Sequence, residues 1–151
     1  MEIRRLDSRS DNNDIRTALR LALRVFLEFD APLFPREGLE SFRAYIYSGT
    51  IEDAVSDGTA CIFAAYDTQI TGMMGVTSDG HIFLAFVDGA YQNKGVGTAL
   101  LKAAEQMLPG IRLTVNAAPP GYPFYRRHGF VPTSEEITKD GLTFTPMEKL
   151  P

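Results

Sequence analysis

The feature that constrains this chain most is a glycine-rich turn at residues 92–97, which joins a short apolar segment directly to an amphipathic segment. Residues 81–87 are rich in β-branched and aromatic side chains, which predicts a strand buried on both faces. From Val96 to Met107 the apolar residues recur at helical spacing. The first backbone N–H groups of such a helix have no helical acceptor and lie at the positive end of the helix dipole. The sequence therefore predicts an anion-binding site at the turn.

The residues of the turn suit a phosphate group. Gly95 and Gly97 have no Cβ, so a phosphate could approach the backbone closely, and Lys94 adds a positive charge. Two common phosphate loops do not match: the chain has no Walker A string, and Leu100 stands where the dinucleotide fingerprint needs its third glycine. The alternative, that the two glycines only permit a tight turn and close helix packing, stays open.

Size and charge narrow the classes of function. A chain of 151 residues suits one domain spanning residues 1–151, and its 44% hydrophobic and 23% charged residues are ordinary for a soluble protein. Because we find no leader and no long apolar run, we predict a cytoplasmic location. The net charge of -4 argues against nucleic acid and anionic membrane as partners. Cys61 is the only cysteine, which excludes an internal disulfide and a cysteine metal cluster, and we expect no metal.

The pattern of elements predicts a mixed α/β (α+β) fold. Residues 11–49 read as a helical hairpin with an elbow at residues 29–35 that contains two prolines. A short helix through Tyr125 and His128 follows a group of prolines. Besides residues 81–87, the predicted strands are residues 3–6, 59–67, 69–78, 111–116, 130–135 and 142–148. The strand at 111–116 should run parallel to the strand at 81–87, because a helix connects them as a crossover.

Two segments make the chain resemble the GNAT superfamily of N-acetyltransferases. Residues 92–97, Gln-Asn-Lys-Gly-Val-Gly, match the family's Arg/Gln-x-x-Gly-x-Gly/Ala loop. Residues 124–130, Phe-Tyr-Arg-Arg-His-Gly-Phe, match its segment of a tyrosine, three residues and Gly-Phe. The predicted order of elements is also the family's. The resemblance implies a mostly antiparallel sheet of about seven strands flanked by about four helices, with a splayed parallel strand pair at the cofactor cleft.

The resemblance also implies an activity, transfer of the acetyl group of acetyl-CoA to an amine by direct attack in a ternary complex. The pyrophosphate of CoA would bind the backbone N–H groups of the turn, and Tyr125 matches the tyrosine that protonates the departing thiolate. The implied cofactor-binding residues are Phe86, Val87, Gln92, Asn93, Lys94, Gly95, Val96, Gly97, Thr98, Asn116 and Tyr125.

The chain departs from the family pattern at two positions. Gly89 stands where many relatives have proline, which should loosen the start of the loop. Gln92 replaces the commoner arginine, which removes a charge near the phosphates and leaves Lys94 as the nearest compensation.

The residues do not decide which group removes the proton of the amine. Some relatives carry a glutamate roughly where His81 falls, and a histidine can act as a base near neutral pH. Glu28, Asp30 and Glu52 are alternatives near the acceptor side. Two structural alternatives stay open. One is that His81 is a solvated strand end, and the other is that the three acids are ordinary surface charges.

The acceptor side is predicted at the elbow of the helical hairpin. The candidate substrate-binding residues are Glu28, Phe29, Asp30 and Phe34, although packing under a loop would explain these aromatic residues equally well. The predicted acceptor is a primary amine of a small molecule or peptide, and a homodimeric assembly stays open. The competing hypotheses are a non-catalytic acyl-CoA-binding or regulatory module and an interaction domain that binds no nucleotide.

Overall fold

An eight-stranded sheet runs through this computed structural model, which describes all 151 residues. The strands are β1 (Glu2–Leu6), β2 (Ala60–Tyr66), β3 (Ile70–Thr77), β4 (His81–Val87), β5 (Leu113–Ala117), β6 (Val131–Pro132), β7 (Ile137–Lys139) and β8 (Leu142–Lys149). Their order in the sheet is β1-β2-β3-β4-β5-β8-β6, and β7 pairs with β8. Only β4 and β5 are parallel. The predicted mixed, mostly antiparallel sheet is confirmed, with one strand more than expected because the segment after Phe130 divides into β6 and β7.

Helices flank the sheet, and side chains of the helices and strands together form two apolar clusters of the core. The α-helices are α1 (Asn12–Val25), α2 (Arg36–Tyr47), α3 (Thr50–Ser56), α4 (Val96–Met107) and α5 (Tyr122–Arg127). The short α3, which the sequence did not predict, begins after Gly49, whose left-handed backbone (φ 84°) turns the chain at the end of α2. None of these helices is both long enough and apolar enough to cross a membrane.

The link between α1 and α2 is helical, where an interrupted elbow was expected. A five-residue π-helix, Phe26–Asp30, continues α1, and a 3-10 turn, Ala31–Leu33, follows it. Pro32 is tolerated because it lies in the first turn of this 3-10 segment, where its missing N–H costs no helical hydrogen bond.

Strand β4 is less buried than predicted. Ile82 and Leu84 are buried, whereas the other residues of β4 are only half-buried. The parallel pairing explains this difference, because β4 and β5 pair only at His81–Thr114 and Ile82–Val115. Beyond these pairs β4 continues along β3, and β5 continues along β8. The two strands therefore diverge into a wedge, which confirms the predicted splay.

Two glycines bring the turn between β7 and β8 against α2. A Cβ atom on Gly38 would lie 2.3 Å from the carbonyl oxygen of Gly141, and one on Gly141 would lie 2.4 Å from the amide nitrogen of Gly38. The Ser41 hydroxyl donates a hydrogen bond of 2.8 Å to the carbonyl oxygen of Asp140 in the same turn. The turn between β7 and β8 and helix α2 are therefore in direct backbone contact.

Replacing Gly38 by alanine is expected to lower the free energy of unfolding by about 1–3 kcal/mol, the usual cost of overpacking. Alanine in a helix is otherwise favoured over glycine by roughly 1 kcal/mol, so a net loss would mean that the backbone contact dominates. Urea denaturation measures the difference. Gly49→Ala is the control, because a Cβ there meets no atom within 4 Å and only the left-handed backbone opposes it. A Gly38→Ala protein as stable as the parent would contradict the expected close contact.

Candidate functional site

The wedge between β4 and β5 opens into a cavity of about 770 Å³. Its wall reaches from the turn before α4, past α5, to the π-helix, α2 and the turn between β7 and β8. A volume of this order is typical of sites for small organic ligands. The cavity has two chemically different ends, one formed by backbone N–H groups and one formed by aromatic rings around a carboxylate.

The first end lies at the N-terminus of α4. Gly95 holds a left-handed conformation (φ 85°) immediately before the helix. The first hydrogen bond of the helix runs from the Ala99 N–H to the Gly95 carbonyl. The N–H groups of Val96, Gly97 and Thr98 precede it and have no helical acceptor, and all three residues line the cavity. With the helix dipole behind them, these groups form the geometry of an anion site.

Side chains fasten the start of this loop to its neighbours. The Gln92 side-chain amide donates a hydrogen bond of 3.1 Å to the Val87 carbonyl at the end of β4. Asp88 accepts a hydrogen bond of 2.9 Å from the Ala90 N–H and forms an ion pair of 2.8 Å with Arg24. The hydrogen bond from Ala90 and the pairing with Arg24 lower the pKa of Asp88. Gln92, which lacks the charge of the commoner arginine, thus stabilises the loop through a neutral hydrogen bond.

Gly89 does not leave the start of the loop loose, as the sequence suggested it would. A Cβ atom on Gly89 would lie 2.9 Å from the ring of Phe29. The aromatic ring of the π-helix therefore packs where a side chain would otherwise stand. Gly89, which stands where many relatives have proline, thus leaves room for the ring of Phe29.

Gly97 also makes room for an aromatic ring. A Cβ atom on Gly97 would lie 2.9 Å from the ring of Phe124 on α5, whereas one on Gly95 would meet no atom within 4 Å. The missing Cβ of Gly97 was expected to admit a phosphate. The structure shows that it also makes room for the contact between α4 and α5, and the approach of a phosphate at Gly97 stays a prediction.

His128 strengthens this contact. Its ring stacks on Phe124 with the centroids 4.3 Å apart, its Nδ1 lies 2.8 Å from the Phe124 carbonyl oxygen, and its Nε2 lies 2.9 Å from the Thr98 hydroxyl oxygen. Because the carbonyl can only accept, Nδ1 donates, and Nε2 of a neutral ring accepts from Thr98. Sequence reasoning missed both Phe124 and His128, although they flank the tyrosine within the segment that carries the resemblance.

Tyr125 on α5 lines the cavity at the end near α4. Only 5% of the residue is exposed, and its ring packs edge-on against Phe124 and Phe130. Burial raises the pKa of Tyr125 well above its ordinary value, with no contribution from a charge or a hydrogen bond. The phenol is therefore protonated across the neutral pH range and can act as a proton donor.

The second end contains Asp30, the last residue of the π-helix. Asp30 is 7% exposed and lines the cavity, and its side chain does not cap the 3-10 turn that follows. Burial alone raises the pKa of Asp30 to about 6. Burial also raises the pKa of Tyr45 on α2, which lines the same end. A carboxylate with a pKa near neutrality in an apolar cleft is a candidate acid or base.

Most of the predicted site residues line the cavity, and four do not. The predicted cofactor residues all line it except Lys94, whose ammonium lies 5.7 Å from the centroid of the Tyr91 ring. Of the predicted substrate residues, Phe29, Asp30 and Phe34 line it. Glu28 is exposed on the outer side of the π-helix, and Glu52 lies on α3; neither lines the cavity.

His81 also lies outside the cavity, at the closed end of the wedge. Its Nδ1 is 2.8 Å from the Thr114 hydroxyl oxygen on β5, and burial lowers its pKa. The seven residues from His81 to Val87 span about 20 Å of extended strand, so the side chain is far from the loop. The structure does not bring His81 together with the other candidate residues.

Comparisons with known proteins agree with this architecture. A family model described as an acetyltransferase (GNAT) domain matches residues 30–151. A search of curated proteins finds no significant match. Among solved structures, an acyl-CoA N-acyltransferase from Pseudomonas aeruginosa is 17% identical with a TM-score of 0.71, each chain being 99% covered.

Two further structures are similar over nearly the whole chain. The PaiA N-acetyltransferase from Thermoplasma acidophilum, solved in complex with coenzyme A, is 19% identical with a TM-score of 0.76, and 99% of each chain is covered. A GCN5-related N-acetyltransferase from Rhodopseudomonas palustris is 21% identical with a TM-score of 0.73, covering 99% of this chain and 94% of its own. At these identities the likeness shows a shared fold.

Proposed function

The chain belongs to the GNAT acetyltransferase family, and on that premise we propose that it transfers the acetyl group of acetyl-CoA to a primary amine of a small molecule or peptide. One observation carries the proposal. The splayed β4–β5 pair opens beside the N-terminus of α4 into a single cavity that also contains a buried, protonated tyrosine and a buried carboxylate. A cofactor end, a proton donor and an acceptor end thus share one cleft.

The residues present fit acetyl-CoA. The unpaired N–H groups of Val96, Gly97 and Thr98 would hold its diphosphate. The strand edge of β4 near Phe86 and Val87, which has no partner on the β5 side, would pair with the amides of the pantetheine arm, with Asn116 as a further contact. When bound, acetyl-CoA supplies an activated acetyl thioester. Lys94 would contribute through its charge at the rim of the loop.

Tyr125 would act on the leaving group. The amine attacks in a ternary complex, and a phenol held near the sulfur donates its proton as the C–S bond breaks. The raised pKa of Tyr125 supports this role, because the phenol keeps its proton at every pH at which the activity would be assayed. The cytoplasmic location and the absence of nucleic-acid and membrane partners remain predictions from the sequence, and a homodimeric assembly stays open.

Acetyl-CoA is expected to stabilise the protein by about 2.7 kcal/mol when present at about 100 times its dissociation constant. Thermal unfolding with and without the ligand measures this, and release of free CoA with a panel of amines measures turnover. The assay can use a thiol reagent, because the only cysteine, Cys61, is buried and has a pKa raised by that burial. No stabilisation would contradict a CoA site in this cavity. Stabilisation without turnover of any amine would favour a non-catalytic acyl-CoA-binding module.

A further inference from the structure

We propose that Asp30 receives the proton of the acceptor amine, and that the aromatic rings around it select a compact, apolar molecule with a single primary amine. This inference rests on the proposed function and adds to it the base and the class of acceptor.

The π-helix is what directs Asp30 into the cavity. The Ala31 N–H donates to the Phe26 carbonyl, five residues earlier, which closes one wide turn at the end of α1. Phe26 and Asp30 are buried at 3% and 7% exposure, while the residues between them are exposed. Wide turns of this kind are frequent at functional sites. Here the turn places one acid inside the cavity and leaves Glu28, two residues earlier, on the outside.

The carboxylate of Asp30 has no partner within the protein. Its side chain does not cap the following turn, and neither a hydrogen bond nor a nearby charge contributes to its raised pKa. A buried carboxylate without a partner is costly, so such groups are usually paired or held near a ligand. Because Asp30 lines the cavity, a cationic ligand can reach it. An ammonium group is the partner that the site lacks.

Aromatic rings enclose this end of the cavity. Phe26 stacks on Phe42 with the centroids 4.0 Å apart and on Phe34 at 6.2 Å, and Phe42 meets Phe86 edge-on at 5.7 Å. Ring faces attract an ammonium group and also pack against an apolar body. The acceptor that fits carries a cationic amine at one end, and the rest of the molecule is a hydrocarbon chain or an aromatic ring.

Among the titratable groups around the cavity, only Asp30 is both acidic and buried. Tyr45 on α2, and Lys139 and Asp140 at the turn between β7 and β8, line the acceptor end. On α5, at the cofactor end, the titratable lining groups are Tyr125, Arg127 and His128, and Tyr91 lies on the loop. The only other carboxylate that a second amine of a polyamine would meet is that of Asp140, which is exposed to solvent and follows Lys139 directly in the chain, so its attraction is weak. A peptide backbone would lose hydration without gaining partners.

Two residues, Asp30 and Tyr125, are enough to account for every proton transferred in the reaction. The acceptor binds as an ammonium ion, its nitrogen gives one proton to the Asp30 carboxylate, and the freed electron pair forms the C–N bond to the acetyl carbonyl carbon. The C–S bond breaks, and the sulfur takes the phenol proton of Tyr125. The nitrogen loses a second proton as the amide forms, and this proton restores the phenol. Asp30 finally releases its proton to water, so the products are the amide, free CoA and one proton.

Asp30→Asn, with Glu28→Gln as the matched control, tests the role of the carboxylate. With 2-phenylethylamine as acceptor, Asp30→Asn is expected to lower kcat about 10²-fold, and Glu28→Gln should change it less than twofold. In the parent, kcat/KM should fall as the pH drops below about 6, because Asp30 becomes protonated. This acidic limb should be lost in Asp30→Asn and kept in Asp30→Glu, since the amine itself remains an ammonium ion throughout that range.

Stability gives a readout that is independent of turnover. The raised pKa of Asp30 favours the fold while the carboxyl is protonated and opposes it once the pH rises through about 6. Asp30→Asn should therefore melt at a higher temperature than the parent at pH 8 and at nearly the same temperature at pH 4. Equal melting temperatures at both pH values would contradict an unpaired, buried carboxylate.

The acceptor class is tested by comparing kcat/KM for 2-phenylethylamine, spermidine and a lysine-containing peptide, with the first expected to exceed the others at least tenfold. A higher value for spermidine or the peptide, or no turnover of 2-phenylethylamine, would overturn the proposed class. Full kcat and an unchanged acidic limb in Asp30→Asn would overturn the role of Asp30. In either case, turnover of some amine would leave the proposed function intact, whereas failure of acetyl-CoA to stabilise the protein would count against that function.

Discussion

Replacing Tyr125 by phenylalanine is expected to lower kcat at least about tenfold and to leave the dissociation constant of acetyl-CoA nearly unchanged. Phenylalanine keeps the ring that packs against Phe124 and Phe130 and removes only the hydroxyl. A positioned acid contributes about 10²–10⁴ to the rate, and the lower end applies where water can substitute. Single-turnover kinetics, with chemistry shown to limit the rate, measures the effect.

The pH profile of Tyr125→Phe should keep the shape of the parent's profile. The pKa of the buried phenol is raised far enough that its ionisation does not produce an alkaline limb in the working range. The acidic limb belongs to another group and should persist. Tyr47→Phe is the control, because Tyr47 lies on the outer face of α2 with 74% of its surface exposed. A Tyr125→Phe enzyme with full kcat would remove this residue from the proposed mechanism.

The sequence predicted the elements near the loop well because their signals are local. The strand at residues 81–87 and the helix that begins at Val96 are observed within those bounds. The parallel pairing of β4 and β5 followed from the helical crossover between them. The predicted burial of β4 was wrong, because the burial depends on where β5 diverges from β4. No local sequence pattern indicates that point.

The functional site was predicted only where one segment supplies both the signal and the geometry. The loop residues belong to a single turn, and most of them line the cavity as expected. Gly89 and Gly97 are different, because each is explained by an aromatic ring from a distant part of the chain, Phe29 and Phe124 respectively. The sequence shows that a side chain is missing at these positions and does not show which neighbour occupies the space.

The burial of the two acids on the π-helix also depends on tertiary packing that the sequence does not show. Both Glu28 and Asp30 were candidates from the sequence, as carboxylates at the end of a helical stripe, and Glu28 was the one predicted to be catalytic. Their different burial depends on how the π-helix packs against α2 and the cavity. His81 was chosen by analogy of position, and its contact with Thr114 depends on a strand that lies more than 30 residues later in the chain.

Replacing Gly97 by valine is expected to abolish measurable binding of acetyl-CoA and to lower the free energy of unfolding by about 1–3 kcal/mol. The loss of stability follows from the contact with Phe124, since even a single Cβ atom would lie 2.9 Å from its ring. A ring displaced by valine would pull α5 away from α4 and disturb the hydrogen bond between Thr98 and His128. Calorimetric titration with CoA and urea denaturation measure the two effects.

The double variant Gly97→Val with Phe124→Ala decides between two causes of the lost binding. If the valine acts by displacing the ring, removing the ring makes room for it, and the double variant should recover measurable binding of CoA. If the valine instead fills the space of the diphosphate, removing the ring cannot help, and the double variant should bind no better. The coupling between the two substitutions is the quantity to compare, because residues in contact deviate from additivity by about 0.5–3 kcal/mol. Additive losses of stability, with no recovery of CoA binding in the double variant, would show that the contact between Gly97 and Phe124 does not hold the loop in its binding conformation.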